Sequence, residues 1–402
     1  MNKKSFFSGL AVGILIVLLV LTVRAGFMMG SASYSTAGGK VSENVKDKLD
    51  DLQGIVDRYY LNGDDLEEGQ LEDGIYKGFM SALNDPYSVY YTEEETTELN
   101  QYMDGTYYGI GAILTQDIET NILMVSKCFE GSGAEESGLQ PYDIILEVDG
   151  TDITGMDISS AVALIKGEKG TTVTLTVYRE NQPDYLHITI TRKEIEVPTV
   201  EYEVLEGNVG YIQLTEFEAS STNQFNKAYD ALMEQNVDGL IVDLRDNPGG
   251  LLTVVCDILG HFVQKDGLIV YTEDKYGHRE ELYADTFKYC SKPLVVLVNG
   301  NSASASEIFA GAVQDHGSGT ILGTTTYGKG IVQQVMGLAD GTSVKVTISK
   351  YFTPNGQDIN GKGITPDVEV EQDESVRYLS NIPHEQDVQL QAALEQIKSE
   401  LE

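Results

Sequence analysis

Leu294-Val295-Val296-Leu297-Val298 runs into Asn299-Gly300-Asn301-Ser302-Ala303-Ser304-Ala305-Ser306-Glu307, and an apolar helical stretch follows over residues 308–314. The five apolar residues predict a buried strand, because a strand covered on both faces loses its polar alternation. Ser304 with Glu307 three places on fits the capping box that opens a helix. Strand, turn and helix in this order predict an α/β layer with a serine where the helix begins. Free N–H groups and the positive end of the helix dipole gather there, which suits a nucleophile and the oxyanion it creates. The alanines leave the approach to the hydroxyl open. Composition does not rank Ser302, Ser304 and Ser306.

Two other segments carry the same chemistry. Asp243-Leu244-Arg245-Asp246-Asn247-Pro248-Gly249-Gly250 leaves an apolar run through a tight turn. Asn-Pro-Gly-Gly is ordinary turn chemistry, but glycines also let a backbone N–H approach an oxyanion with no side chain in the way. Downstream, Tyr327-Gly328-Lys329-Gly330-Ile331-Val332-Gln333-Gln334 reads as a strand entered through a glycine turn. A period of two places Lys329, Ile331 and Gln333 on one face. A lysine on a strand is normally solvated. Beside glycines and apolar residues it is desolvated, and a lowered pKa then lets it accept a proton. Gln333 is placed to hold the amine by a hydrogen bond without adding charge.

The chain has five histidines, His187, His261, His278, His316 and His384, and none sits in a pattern that marks a catalytic base. His316 is nearest to Ser304 but lies past the helix, so a Ser/His/Asp hydrolase has little support. A desolvated lysine is the alternative way to activate a serine. The sequence points to a Ser/Lys hydrolase.

Outward from these segments, residues 209–214 and 239–244 read as further buried strands, with helices near 221–234 and 252–263. Before them, residues 105–192 change to short strands and glycine turns. Gly109-Ile110-Gly111-Ala112 opens this part, Gly138-Leu139…Asp143-Ile144-Ile145…Val148-Asp149-Gly150 continues it, and an amphipathic helix over 158–165 precedes a strand over 172–178. The succession resembles a PDZ domain. That resemblance implies a loop, here Tyr108, Gly109, Ile110 and Gly111, whose N–H groups take a peptide's terminal carboxylate while the peptide adds a strand.

Asp-Leu-Arg-x-Asn-Pro-Gly-Gly, Ser-Ala-Ser-Ala-Ser-Glu and Gly-Lys-Gly-x-x-Gln in this order, with Tyr351-Phe352-Thr353-Pro354 and Gly361…Gly363-Ile364-Thr365-Pro366-Asp367 after them, resemble the C-terminal processing peptidases, or tail-specific proteases. The match covers residues 41–370. It implies a multidomain α/β chain with a crotonase-like β/β/α serine protease core and an inserted PDZ domain. By resemblance Ser304 is the nucleophile and Lys329 the base, assisted by Gln333. The oxyanion donors would be the N–H of Ala305 and of Gly250 or Gly249, with Gly250 preferred. The implied activity is endoproteolysis near the C-terminal tails of proteins with free C-termini, without a cofactor. An inactive homologue acting as a PDZ scaffold at the membrane surface is the alternative. Family members often carry arginine before the PDZ Gly-x-x-Gly turn, where this chain has Lys166. Lysine keeps the charge but loses bidentate geometry, which puts control through this position in doubt.

The remaining signals bound the setting. Lys3 and Lys4 precede an apolar run from Phe6 to Val23, whose eighteen helical residues would span about 27 Å, close to a bilayer's hydrocarbon thickness. The lysines stay in the cytoplasm, so a single-pass anchor sends the rest across the membrane. A cleaved signal, with Ser31-Ala32-Ser33 as the cleavage site, would instead release it. A net charge of -36 with no basic stripe excludes nucleic acid as a partner. Cys128, Cys256 and Cys290 are widely separated, with no CxxC, HExxH or Walker pattern, so neither a disulfide scaffold, a metal nor a nucleotide is implied.

The expected organisation is an anchor or signal over 1–30, a linker over 31–40, a helical N-terminal domain over 41–104 and a PDZ domain over 105–193. A protease core over 194–372 and a helical tail over 373–402 complete it. Apolar residues Leu49, Leu52, Ile55 and Val56, then Leu71, Ile75, Phe79 and Leu83, line two helix faces. The resemblance implies a homodimer through these helices and the tail.

Overall fold

A computed structural model of the protein describes residues 41–42, 44–117, 120–285, 289–373, 375–376 and 382–402. The chain divides into two units, Met1–Gln70 and Leu71–Glu402. The expected anchor and the linker lie outside the described residues. Among the described residues no helix is long and apolar enough to cross a membrane. The first unit holds α1 (Val45–Tyr59), with Asp47 in its first turn and Arg58 in its last, each matched to the helix dipole. None of its residues is buried.

From its second residue on, α2 (Gln70–Ser81) belongs to the second unit, followed by β1 (Val89–Tyr91) and α3 (Glu93–Asp104). The Thr92 hydroxyl accepts the Glu95 N–H at 3.2 Å and Glu95 returns a carboxylate to the Thr92 N–H at 2.9 Å, a complete capping box. Gly105 ends α3 in the left-handed region, φ 66°. The helices expected over 41–104 thus fall in both units.

A small β domain follows, made of β2 (Thr106–Gly109), β3 (Ala112–Gln116), β4 (Leu123–Cys128), α4 (Gly133–Glu136), β5 (Ile144–Val148), β6 (Thr151–Asp152), α5 (Ile158–Ile165), β7 (Thr172–Tyr178), β8 (Leu186–Thr191) and β9 (Lys193–Glu196). Its sheet runs β3-β4-β5-β7-β8 with β6 on β5, and β2 pairs antiparallel with β9. Alternate residues of β7, Val173, Leu175 and Val177, meet Val125, Ile145 and Ile165 in a separate core. Arg192 is buried with its guanidinium on the carbonyls of Leu164, Ile165 and Thr172, closing the C-terminal end of α5.

The rest of the chain supplies β10 (Val200–Leu205), β11 (Val209–Leu214), α6 (Ser221–Glu234), β12 (Gly239–Asp243), α7 (Leu252–Leu259), β13 (Leu268–Asp274), β14 (Arg279–Tyr283), β15 (Leu294–Val298), α8 (Ala305–His316), β16 (Thr320–Gly323), β17 (Ile331–Gly337), β18 (Ser343–Phe352), β19 (Val368–Glu369) and α9 (Val388–Leu401). One sheet has the order β10-β11-β12-β15-β16-β19, parallel from β11 to β19. All residues of β12 and β15 are buried because both faces are covered. Leu240, Val242, Val296 and Val298 pack with Phe225, Val255 and Phe309 from α6, α7 and α8. Ile241, Val295 and Leu297 pack on the other face with Leu390, Ala393 and Ile397 of α9. A second sheet, β1-β18-β13-β14 with β17 on β18, lies beside it. The turns that leave the C-terminal ends of β12 and β15 carry the glycine pair and the serine run, the usual place for a site in a parallel sheet.

Candidate active site

Ser304 stands at the start of α8 with φ 55° and ψ −111°, a conformation that few residues other than glycine adopt and that persists only where the surroundings hold it. Its holders are on three sides. Glu307 accepts the Ser304 N–H at 2.9 Å. The Tyr351 hydroxyl donates to the Ser304 carbonyl at 3.0 Å. Gly249 lies so close that a Cβ there would meet the Ser304 Cβ at 2.7 Å and the Ala305 nitrogen at 2.9 Å.

The structure ranks the three serines. Ser302 and Ser306 are fully buried. Their hydroxyls donate to the carbonyls of Leu244 at 2.7 Å and Asn247 at 2.9 Å, joining the serine run to the turn after β12. Ser304 instead lines an open cleft of about 340 Å³ together with Gly249, Gly250, Ala305, Lys329, Ile331, Gln333, Lys345 and Tyr351. Sequence patterning had no means of separating them, because the deciding carbonyls lie more than fifty residues away.

Lys329 is half-buried in that cleft, in the loop before β17. Its amine sits 4.7 Å from the centre of the Tyr87 ring. Burial lowers its pKa, Lys345 lowers it further, and Glu307 pulls weakly the other way. The loop is clamped from below: Gly361 N–H donates to Gly328 O at 2.8 Å, and Asn360 accepts the Gly330 N–H at 3.2 Å. A Cβ at Gly330 would meet the Asn360 nitrogen at 2.6 Å, so the glycines beside the lysine are there for this close approach.

Gln333 lines the cleft, but not through an unbroken alternation from Lys329. Strand β17 begins at Ile331 and its register against β18 shifts between Val332 and Gln333, a bulge that re-aims the side chains beyond it. The Gln333 amide donates to Ile331 O at 3.4 Å, and it makes no hydrogen bond to the lysine amine among the described residues.

Glu307 is the residue the sequence undervalued. It reads as half of a capping box, yet its buried carboxylate takes four donors: Ser304 N–H, the Thr326 hydroxyl at 2.6 Å, Gly328 N–H at 2.7 Å and Lys329 N–H at 2.8 Å. One side chain therefore fixes the serine and the lysine loop relative to each other. Tyr351 also ties the two, since its one hydroxyl proton lies between Ser304 O and Lys329 O. Only the first of Tyr351-Phe352-Thr353-Pro354 touches the site in this way, and that distinction needs the fold.

In the glycine turn, Gly249 and Gly250 have φ 109° and 143°. The Gly249 N–H is taken by Asn247 Oδ1 at 2.8 Å, whereas the Gly250 and Ala305 N–H groups have no partner among the described residues. That leaves Gly250 and Ala305 as the available donors beside Ser304. No histidine lines the cleft among the described residues; His316 faces Leu268 O at 2.7 Å.

A second cavity of about 330 Å³ lies between β3 and α5, lined by Gly109, Ile110, Leu114, Ile158, Val162 and Lys166 among others. Gly109 and Ile110 fall where expected. Tyr107 rather than Tyr108 faces the cavity, as alternation along β2 requires. Gly111 turns the chain at φ 77°.

A profile of Peptidase family S41 matches residues 208–370, and a PDZ domain profile matches residues 128–179. The carboxy-terminal processing protease CtpA of Bacillus subtilis (strain 168) is 36% identical over 362 residues, 89% of this chain and 76% of that protein. The carboxyl-terminal-processing protease of Synechocystis sp. (strain ATCC 27184 / PCC 6803 / Kazusa) is 38% identical over 320 residues, 79% of this chain and 74% of that protein. The crystal structure of a putative S41 protease from Bacteroides fragilis shares the fold, with a TM-score of 0.52 at 16% identity over 91% of this chain and all of that one. The chain belongs to peptidase family S41, as a PDZ-containing serine-type peptidase of the carboxy-terminal processing group.

Proposed function

We propose that the protein cleaves substrate proteins near their C-terminal tails through a Ser304/Lys329 acyl-enzyme mechanism. The observation that carries this reading is the cleft itself. It presents one serine, Ser304, in the same cleft as a half-buried lysine of lowered pKa and two unengaged N–H groups. In the reaction, the neutral Lys329 amine removes the Ser304 proton and Oγ bonds to the peptide carbonyl carbon. The oxyanion is held by the N–H groups of Ala305 and Gly250. The C–N bond then breaks, and the Lys329 ammonium gives its proton to the leaving amine. Water, deprotonated by the same amine, attacks the acyl-enzyme and returns Ser304 to its hydroxyl form. Gln333, which lines the same cleft, assists by holding the Lys329 amine through a hydrogen bond that adds no charge. The groove between β3 and α5 takes the substrate's free carboxylate on the N–H groups of Ile110 and Gly111, as PDZ domains do.

The setting we infer is extracytoplasmic. Support comes from the apolar run between Phe6 and Val23 behind Lys3 and Lys4, which fits a single-pass anchor with positive residues inside; cleavage after the run would secrete the protein instead. A homodimer through the N-terminal helices and the tail is part of this proposal.

The test uses the full chain in detergent and an unfolded substrate with an apolar C-terminus. Wild type is expected to cleave it, and Ser304→Ala and Lys329→Ala to leave it intact while remaining folded. Amidation of the substrate's C-terminus is expected to slow the wild type. Retained cleavage by Ser304→Ala refutes the nucleophile assignment. Carboxylate-dependent binding with no turnover by any form would favour a scaffold.

A further inference from the structure

The segment Glu216-Phe217-Glu218 follows β11 and braces the glycine turn. Phe217 N–H donates to Gly249 O at 2.9 Å, and Leu251 N–H donates to Phe217 O at 2.7 Å. Phe217 is buried in the main core. Extended backbone sends its two neighbours to the opposite side, and both glutamates line the Ser304 cleft.

Their state there is unusual. Glu218 is only 6% exposed, and the Oε2 atoms of both carboxyls are buried without a hydrogen-bond partner. Neither forms an ion pair among the described residues. The cleft's own cations stand elsewhere, Lys329 against Tyr87 and Lys345 against Tyr91. Tyr102 stands on the same wall, its hydroxyl hydrogen-bonded with Glu216 and near Glu218. Burial, with Glu216 adding repulsion, pushes the Glu218 carboxyl up to about 7. With no cation at hand the pair keeps a proton between its two carboxyls, leaving the outer Oε2 atoms open to a charged donor that would displace it. The net charge of -36 also draws basic segments toward the molecule.

We propose that Glu216 and Glu218 form a substrate subsite that takes a basic side chain, lysine or arginine, next to the scissile bond. The inference rests on Ser304 being the reacting centre of that cleft. Glu218 also borders the groove between β3 and α5, but Glu216 borders the Ser304 cleft alone. That assigns the subsite to the cleft. An incoming ammonium or guanidinium would ionise the pair and satisfy both Oε2 atoms, with the proton released to water.

The experiment compares quenched peptide substrates with one common tail, carrying lysine or its uncharged analogue norleucine at each position flanking the scissile bond. The full chain is expected to prefer lysine at one position by roughly tenfold in kcat/KM, the size of one charge-assisted contact. Glu216→Gln and Glu218→Gln should each bring that ratio close to one. A second arm measures binding of the same peptides to Ser304→Ala by fluorescence anisotropy, with and without Glu216→Gln. Cleavage at equal rates at every position overturns the subsite and leaves the Ser/Lys reading standing. No cleavage, with lysine-preferring binding that Glu216→Gln removes, upholds the subsite and overturns the Ser/Lys reading. Neither cleavage nor preference overturns both.

Discussion

In the proposed mechanism Lys329 serves as a base only while neutral, and its surroundings decide when that is. Burial is the largest influence and Lys345 the second, both favouring the uncharged amine, while Glu307 opposes them. The sign follows directly. As pH rises through the lowered pKa the amine loses its proton, so kcat/KM should climb and then level off below the range of an ordinary lysine. Lys345→Met removes one positive neighbour, so the Lys329 pKa rises and the climbing limb should move to higher pH; Lys345→Arg should leave it in place. A pH–rate profile of the three forms checks this, and a limb unmoved by Lys345→Met would show that burial alone tunes the base. The same shift means the folded protein binds fewer protons than the unfolded chain between the two pKa values. This group's contribution to stability therefore rises with pH across that window.

The first turn of α8 and the loop before β17 are joined by the Glu307 carboxylate and the Tyr351 hydroxyl. Glu307→Ala would leave four donors short of an acceptor in a buried place, so stability should fall by at least about 2 kcal/mol. Peptidase activity should vanish with it. Denaturant unfolding, read beside activity, checks both. Helices 158–165 and 221–234 were legible from their apolar periodicity, and strands 209–214 and 294–298 from unbroken apolar runs that are covered on both faces. Helix α8 begins earlier than its apolar run, at Ala305, because the Glu307 carboxylate secures its first turn. Of the second sheet only the start of β17 was read from the sequence, and β13, β14 and β18 escaped it. β14 and most of β18 are only partly buried and polar, and the β13–β18 pairing joins residues about eighty apart. The three motifs announced Ser304, Lys329 and the glycine turn, but Glu307, Tyr351 and Tyr87 acquire meaning only from distant contacts.

Across the whole catalytic unit, the end of the chain is tied to the motif that carries the glycines. Arg245 pairs with Asp243 at 2.6 Å and with Asp387 at 2.8 Å, and all three side chains are largely buried. Asp387 also caps α9 by accepting the Leu390 N–H at 3.0 Å. Burial pushes the Asp387 carboxyl up, but its bonds to Arg245 outweigh this and hold it below the usual range. Its contribution is thus present above the unfolded aspartate pKa and lost as pH falls through the lower folded one. Asp387→Ala should cost about 3–5 kcal/mol, as breaking one side of a buried pair does. The loss should appear as a lower unfolding midpoint with α9 released from the sheet. The account stands or falls, however, on which atom of the intact molecule attacks. The most direct measurement treats the full chain with a fluorophosphonate and locates the adduct by peptide mass spectrometry, in wild type and Lys329→Ala. The account predicts a single adduct on Ser304, forming faster as pH rises and nearly absent without Lys329. An adduct on another serine, or labelling of Ser304 indifferent to Lys329, would contradict it.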